Sequence, residues 1–170
     1  MLRAREMLDH ASKLVAVPVS TDADFRRAVS ASYYAVFHLI SAAVAEQAYP
    51  PTPSELRGRF QRALEHRSAK NAMQSFVTRE SIKSLAKDPG ISCIYNQDIA
   101  DIAKAFGELQ DARELADYDV VDSGGTVGFS WAKDWVDKAT LVFDAWDRVK
   151  STDEARLFLA FLIFRNKRSK

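Results

Sequence analysis

Apolar residues recur at helical spacing in almost every segment of this 170-residue chain, and that pattern limits what it can fold into. Between Ser130 and Val149, for example, apolar residues stand at positions 132, 135, 136, 139, 142, 143, 146 and 149. No segment alternates apolar and polar residues as a half-buried strand does. The sequence therefore predicts an all-α protein, an up-and-down helical bundle of four to six helices.

Prolines, glycines and capping residues divide the chain into those helices. In STDE (151–154), Ser151 and Glu154 are predicted to form a capping box that opens a last helix. We expect residues 1–150 to form the bundle and residues 151–170 to add that helix and a basic tail to the same domain. The predicted helices run from about Leu2 to Val15, from Thr21 or Asp22 to Ala48, in one or two pieces within 55–76, and over 96–118, 130–149 and 152–164.

Charge and cysteine content exclude several classes of function. With 24 basic and 23 acidic residues, the chain as a whole has no field that would gather nucleic acid or anionic lipid, so any such surface is local. The single cysteine, Cys93, excludes an internal disulfide and a multi-cysteine zinc site, and a buried inert thiol is the simplest interpretation. His10, His38 and His66 lie on separate segments without metal-ligand spacing, so no metal site or cofactor is predicted.

Two terminal segments bear on the membrane question. The N-terminus is charged within its first residues and lacks the apolar stretch of a signal peptide, so we expect a cytoplasmic protein. Residues 157–164 are apolar throughout, but a helix needs about 20 such residues to cross a bilayer. The run is therefore predicted to pack in the core or in a dimer contact, with no membrane association. The following RNKRSK is interpreted as a solvated tail.

The second helix separates its residues onto two faces. The predicted core face carries Phe25, Val29, Ser32, Val36, Ile40 and Ala43, with Tyr33 and Val44 at its edge. The opposite strip carries hydrogen-bonding groups, namely Arg27, Ser30, Tyr34, His38 and Ser41. This strip is either a solvated face or a surface for a partner or ligand, and aromatic residues beside polar groups are typical of interfaces.

The helix over 96–118 places charge beside its apolar stripe. Arg113 and Asp117 continue the line of Ile99, Phe106 and Leu109, one helical turn apart. Because a buried arginine must be paired and hydrogen-bonded, Asp117 is the expected counter-ion, with Tyr118 or a tyrosine of the second helix as a further partner. Either the pair holds two helices together, or Asp117 presents the guanidinium to a phosphate or to a second subunit.

Three motifs in this order resemble the HEPN family, named for higher eukaryotes and prokaryotes nucleotide-binding proteins. They are RRAVSASYYAVFHL (26–39), EHRSAKNAMQSF (65–76) and ARELADYDV (112–120), followed by a closing helix. The resemblance covers about residues 1–150 and is greatest to the small bacterial branch. Matching motif positions are held by Arg26 or Arg27, Tyr33, Tyr34, Phe37, His38, His66, Arg113, Asp117 and Tyr118. It implies a bundle that forms a homodimer, with the arginine motif near the dimer cleft.

The resemblance also implies a function. Many members of the family are metal-independent ribonucleases, often toxins paired with a small nucleotidyltransferase antitoxin, and carry an R-x(4–6)-H motif. Here the positions after Arg113 hold Tyr118, Asp119 and Val120 instead of histidine. We therefore expect an RNA- or nucleotide-interacting module that binds through Arg113 and through Arg27, Tyr34, Asp117 and Tyr118. The alternatives are an endoribonuclease that uses Arg113 with His38 or His66 as base, and a non-catalytic dimeric adaptor.

Overall fold

The described part of the chain is helical, as predicted. The computed structural model describes residues 2–16, 20–48, 66–78, 95–118 and 128–166. Within those ranges there is no β-strand, so the predicted all-α bundle is confirmed. The described helices are α1 (Leu2–Ala16), α2 (Asp22–Ala48), α3 (His66–Met73), a 3₁₀ turn (Gln74–Phe76), α4 (Gln97–Tyr118), α5 (Phe129–Val149) and α6 (Asp153–Asn166).

Helix α2 is the central helix of the bundle, and it packs against α1, α4, α5 and α6. Its predicted core residues Val29, Val36 and Ile40 are fully buried. The helix is long and apolar enough to cross a membrane, but 78% of its most apolar stretch is buried inside the bundle. Its hydrophobicity is therefore used for packing against neighbouring helices. The segments 49–65, 79–94 and 119–127, which include Cys93 and most of the glycine-rich connector, lie outside the described residues.

The prediction that Ser41 belongs to the polar strip opposite the core face of α2 is wrong. Ser41 is only 1% exposed, although the helical period puts it opposite the core face. Other helices pack around this part of α2 and cover the strip at Ser41. The Ser41 hydroxyl is satisfied locally, since it donates to the carbonyl of Phe37 at 2.7 Å. The strip is therefore most open to solvent in the N-terminal half of α2, where Arg27 is exposed, and it is only partly exposed at His38.

The apolar run of the last helix packs in the core of the bundle, which is one of the two roles predicted for it. Phe158 and Leu162 of α6 are fully buried in the same cluster as the core residues of α2 and α4. The ring of Phe158 meets Phe76 edge to face, with 5.0 Å between centroids. Phe161 and Ile163 of the same run are only partly buried, and its alternative role as a dimer contact stays a prediction.

The N-terminal caps of α2 and α6 differ in how well the sequence predicted them. At α2, Thr21 caps as predicted, because its hydroxyl accepts from the Asp24 N–H at 3.3 Å and its own N–H donates to Asp24 at 2.9 Å. At α6, the predicted box of Ser151 and Glu154 is wrong by one residue. Thr152 is the cap, and its hydroxyl accepts from the N–H of Ala155 at 3.2 Å. The Ser151 side chain is left exposed.

We expect replacement of Phe158 with alanine to destabilise the fold by about 3 to 5 kcal/mol, because it removes a fully buried aromatic ring and leaves a cavity. Leu141→Ala is the control, since Leu141 is 66% exposed and should change stability by less than about 0.5 kcal/mol. Urea unfolding at equilibrium gives both free energies. Equal, small effects for the two variants would contradict the packing of α6 in the core.

Candidate functional site

The C-terminal half of α4 lies antiparallel along the N-terminal half of α2. Phe106 contacts Tyr33, with ring centroids 5.7 Å apart. Two turns further along α4, Arg113 faces Tyr34, and one more turn brings Asp117 to Ser30. These contacts define a corner between α2 and α4, formed by Ser30, Tyr34, Arg113, Asp117 and Tyr118, which we call the α2–α4 corner.

Arg113 has polar contacts on both helices. Its Nη2 donates to the hydroxyl of Tyr34 at 3.0 Å. Its Nε lies 2.6 Å from Oδ2 of Asp117 and forms an ion pair. The Nε–H bond does not point at that oxygen, so the attraction is electrostatic without an aligned hydrogen bond. The expected pairing of Arg113 with Asp117, and its contact with a tyrosine of α2, are both present.

Asp117 is held from α2 as well. Its Oδ1 accepts a short hydrogen bond from the hydroxyl of Ser30 at 2.5 Å. One turn before Ser30, Arg26 donates to the carbonyl of Ala116 at 3.2 Å. That carbonyl lies in the last turn of α4, where backbone acceptors lack helical partners. The last turn of α4 is therefore fixed by three residues of α2, namely Arg26, Ser30 and Tyr34.

Two tyrosine rings flank the guanidinium. The Cζ of Arg113 is 5.5 Å from the ring centroid of Tyr34 and 5.4 Å from that of Tyr118. Partial burial acts to lower the pKa of Arg113, but Tyr34, Asp117 and Tyr118 together raise it above its usual value. The residue is therefore always charged. Tyr118 is 68% exposed, so one of the two rings faces solvent.

The α2–α4 corner is partly exposed to solvent. The side chains of Arg113 and Asp117 are 21% and 29% exposed. Water, or a ligand, therefore reaches the ion pair from one side. Chemically, the corner offers an oriented cation beside an exposed aromatic face, which suits a planar or anionic ligand.

Of the two candidate histidines, His38 has a described side chain, and the charged group that shifts its pKa is Arg3, not Arg113. His38 lies one turn beyond Tyr34 on α2 and is half-buried. Burial lowers the pKa of His38, and the positive charge of Arg3 on α1 lowers it further. The side chain of His66, at the start of α3, lies outside the described residues. The positive charge that acts on His38 therefore comes from Arg3 of α1, and the sequence pattern did not predict this neighbour.

Arg27 is the remaining predicted binding residue. It is exposed on α2 and its charge helps to lower the pKa of Asp24, behind the hydrogen bonds from Thr21. It therefore lies at the solvent side of the α2 N-terminus and makes no part of the Arg113 contacts described above. Arg26, the other arginine of the motif, is the one that touches α4. The helical period separates these neighbours, because Arg26 lies near the edge of the core face and Arg27 on the strip opposite it.

Comparison of the chain with protein-family models, with curated proteins and with solved structures finds no match. Among the residues that the structure describes, no three histidine, cysteine or carboxylate side chains cluster in a way that could hold a metal ion.

Replacing Arg113 with alanine should destabilise the fold by about 1 to 3 kcal/mol, because it leaves Asp117 partly buried without its cation. The loss is smaller than for a fully buried pair, since solvent reaches both side chains. The double change Arg113→Met with Asp117→Leu should recover most of the stability, because it removes both charges.

The matched control is Lys133→Ala, which breaks the Lys133–Asp137 pair of the same spacing on an exposed face of α5. It should cost less than about 0.5 kcal/mol in the same urea unfolding measurement. If Arg113→Ala costs no more than this control, the corner contributes nothing to holding α2 and α4 together.

His38 should make the fold less stable in mild acid. Because its pKa is lowered in the folded chain, the unfolded chain binds the proton more tightly. Above the pKa of His38 in the unfolded chain, about 6.5, the free energy of unfolding does not depend on this residue. It decreases as the pH falls from that value toward the lower pKa of His38 in the folded chain. His38→Gln should therefore lose less stability than the native chain between about pH 7.5 and about pH 5.5, measured by urea midpoints. Parallel losses in the two proteins would contradict a lowered pKa of His38 in the folded chain.

Proposed function

We propose that this chain is an RNA- or nucleotide-binding module of HEPN type, and that the α2–α4 corner is its contact site. One observation carries the proposal: the Arg113 guanidinium is oriented by Asp117 and Tyr34 between two tyrosine rings, and one of those rings, Tyr118, is largely exposed. A purely structural ion pair needs no solvent-facing aromatic partner.

The corner supplies the two contacts that a nucleotide needs. A guanidinium has five N–H donors in a planar fork, and the contacts with Tyr34, Asp117 and Tyr118 leave some of them for a phosphate. An exposed tyrosine ring stacks on any base, and such stacking contributes about 1 to 3 kcal/mol per base. Because Arg113 is already held in place, binding does not have to restrict its side chain further.

The charge of the chain sets the expected strength of binding. The formal net charge is only +1, so little long-range attraction adds to the local contacts. With Arg113 and the exposed Arg27 as phosphate contacts, about two counterions are released, and the slope of log affinity against log salt is about −1.4 for a single strand. Binding is therefore moderate and depends on the corner more than on a basic surface.

The proposal includes a homodimer, as the family resemblance implies. Support comes from exposed apolar and aromatic side chains at the same end of the bundle, Leu115 and Tyr118 on α4 and Phe129 on α5. Such residues are favoured at protein interfaces. A minimal nucleotidyltransferase as second partner, and a role in a toxin–antitoxin pair, rest on the resemblance alone.

Binding is tested by fluorescence anisotropy with a labelled single-stranded RNA of about ten nucleotides, a length within the usual range of single-strand sites. We expect Arg113→Met with Asp117→Leu to weaken binding at least tenfold while the chain stays folded. Arg113→Lys should also bind poorly, because lysine lacks the bidentate fork. Tyr118→Ala should weaken binding about fivefold or more through loss of stacking.

Arg148→Met is the matched control, because it removes one positive charge from an exposed ion pair with Asp98, away from the corner. It should bind as the native chain does. Native affinity in the folded Arg113→Met, Asp117→Leu variant would overturn the proposal and leave the charges with an architectural role only.

The second candidate, a metal-independent endoribonuclease, is favoured by one observation. His38 has a lowered pKa, so it is neutral at pH 7 as a general base must be, and it lies one turn from Tyr34 on α2. Incubation of the same RNA without metal distinguishes the candidates, because a binding module leaves it intact. Cleavage that is lost in His38→Ala or His66→Ala would favour the ribonuclease, and cleavage that survives both changes would exclude a histidine base.

A further inference from the structure

A groove of about 400 Å³ runs between α4 and α5. Two ion pairs across it fix the register of the two helices. Arg148 donates to both carboxylate oxygens of Asp98, at 2.6 and 3.2 Å, and Nζ of Lys138 lies 2.6 Å from Oε2 of Glu108. Ten residues separate the two pairs on each helix, so α4 and α5 are antiparallel and the groove is about 15 Å long.

The groove places a protruding apolar side chain opposite a short one. Seven residues along each helix from the Asp98–Arg148 pair, Ala105 of α4 lies level with Leu141 of α5, and both line the groove. Leu141 is 66% exposed, whereas Ala105 is 9% exposed. A leucine ridge beside an alanine hollow is the kind of relief through which packed helices interdigitate. Because an exposed leucine gains free energy when it is covered, this relief favours a helical partner.

Six charged side chains line the groove, three at each end. They are Asp98, Asp101 and Arg148 at one end, and Lys104, Glu108 and Lys138 at the other. The ammonium of Lys104 belongs to the second end because it lies 3.9 Å from Oε1 of Glu108. The formal net charge of the lining is therefore −1 at the first end, the acidic end, and +1 at the second, the basic end.

A second copy of the same groove complements this surface. A two-fold axis across the groove near Leu141 turns the second copy end for end, so the acidic end of each copy meets the basic end of the other. The same rotation brings Leu141 of each copy to the hollow at Ala105 of the other. A partner of uniform charge would be attracted at one end and repelled at the other. Shape and charge therefore favour a second copy over an acidic or a basic partner.

We propose that the groove between α4 and α5 is the contact between two copies of this chain, packed antiparallel about a two-fold axis near Leu141. The inference rests on the homodimer included in the proposed function, and it gives that homodimer a contact surface. Two helices about 15 Å long present less than the about 800 Å² per partner of a standard interface. The dimer is therefore weak, with a dissociation constant in the micromolar range.

This contact leaves the α2–α4 corner of each copy open. Arg113 is eight residues beyond Ala105 on α4, about 12 Å along the helix axis, and it faces α2 instead of the groove. The resemblance to HEPN proteins implies an arginine motif near the dimer cleft. With the groove as the contact, the dimer instead has two separate corners, and each binds RNA without residues of the other copy.

Sedimentation velocity between about 1 µM and about 1 mM measures the self-association. We expect the native chain to dimerise and Leu141→Glu to dimerise at least about tenfold more weakly, because it puts two like charges at the axis. The fold is unaffected, since Leu141 is exposed. Thr140→Glu is the matched control, because it adds the same charge at the neighbouring exposed position of α5, outside the lining of the groove. It should dimerise as the native chain does.

Exchange of charge between the two ends tests the antiparallel arrangement. Asp101→Lys changes the acidic end to a net charge of +1, and Lys104→Glu changes the basic end to −1. Each variant alone then has two ends of like sign and should dimerise at least about tenfold more weakly than the native chain. Mixed in equal amounts, the two variants should associate with each other about as tightly as native copies do, because every end meets opposite charge.

Three results would overturn the proposal: a native chain that stays monomeric over the whole range, native association in Leu141→Glu, or no association between the two charge variants. A dimer that survives Leu141→Glu would place the contact elsewhere, such as the end of the bundle with Tyr118. RNA anisotropy keeps the two proposals apart. Leu141→Glu should bind RNA with native affinity, and Arg113→Met with Asp117→Leu should still dimerise, so failure of RNA binding leaves this contact standing.

Discussion

The burial of α2 is the constraint on which the rest of the structure depends. A helix of 27 residues with apolar side chains around most of its circumference has to be covered on several sides, and α1, α4, α5 and α6 cover it. In the N-terminal half of α2, that arrangement leaves Arg27 exposed and Ser30 and Tyr34 partly exposed. The α2–α4 corner occupies that half, so its position follows from how the core is closed.

The ion pair in the corner illustrates why charge is placed beside an apolar stripe. A leucine at position 113 would avoid the cost of removing a guanidinium from water, so the arginine needs compensation. Tyr34 and Asp117 provide it, and Ser30 holds Asp117 in turn. Partial exposure lowers the cost further while leaving the cation within reach of a ligand. The same features that make the arrangement tolerable for folding therefore make it suitable for binding.

Local signals in the sequence predicted the helices, the core face of α2 and the contact of Arg113 with Asp117 and a tyrosine. These properties depend on residue spacing within one helix or on the need of a buried charge for a partner. Ser41, the cap at Thr152 and the neighbourhood of His38 were not predicted correctly. The surroundings of Ser41 and His38 depend on which other helix lies beside α2, and the cap depends on the first residue of α6. The periodicity of apolar residues determines neither the neighbouring helix nor a helix start to within one residue.

Binding of RNA at the α2–α4 corner can be tested by locating bound RNA on the protein. RNA containing 4-thiouridine is crosslinked by ultraviolet light, and the modified tryptic peptides are identified by mass spectrometry. We expect crosslinks in the peptide of residues 114–133, which begins after Arg113 and contains Tyr118. Crosslinks confined to the basic residues 165–170, with none in that peptide, would contradict it.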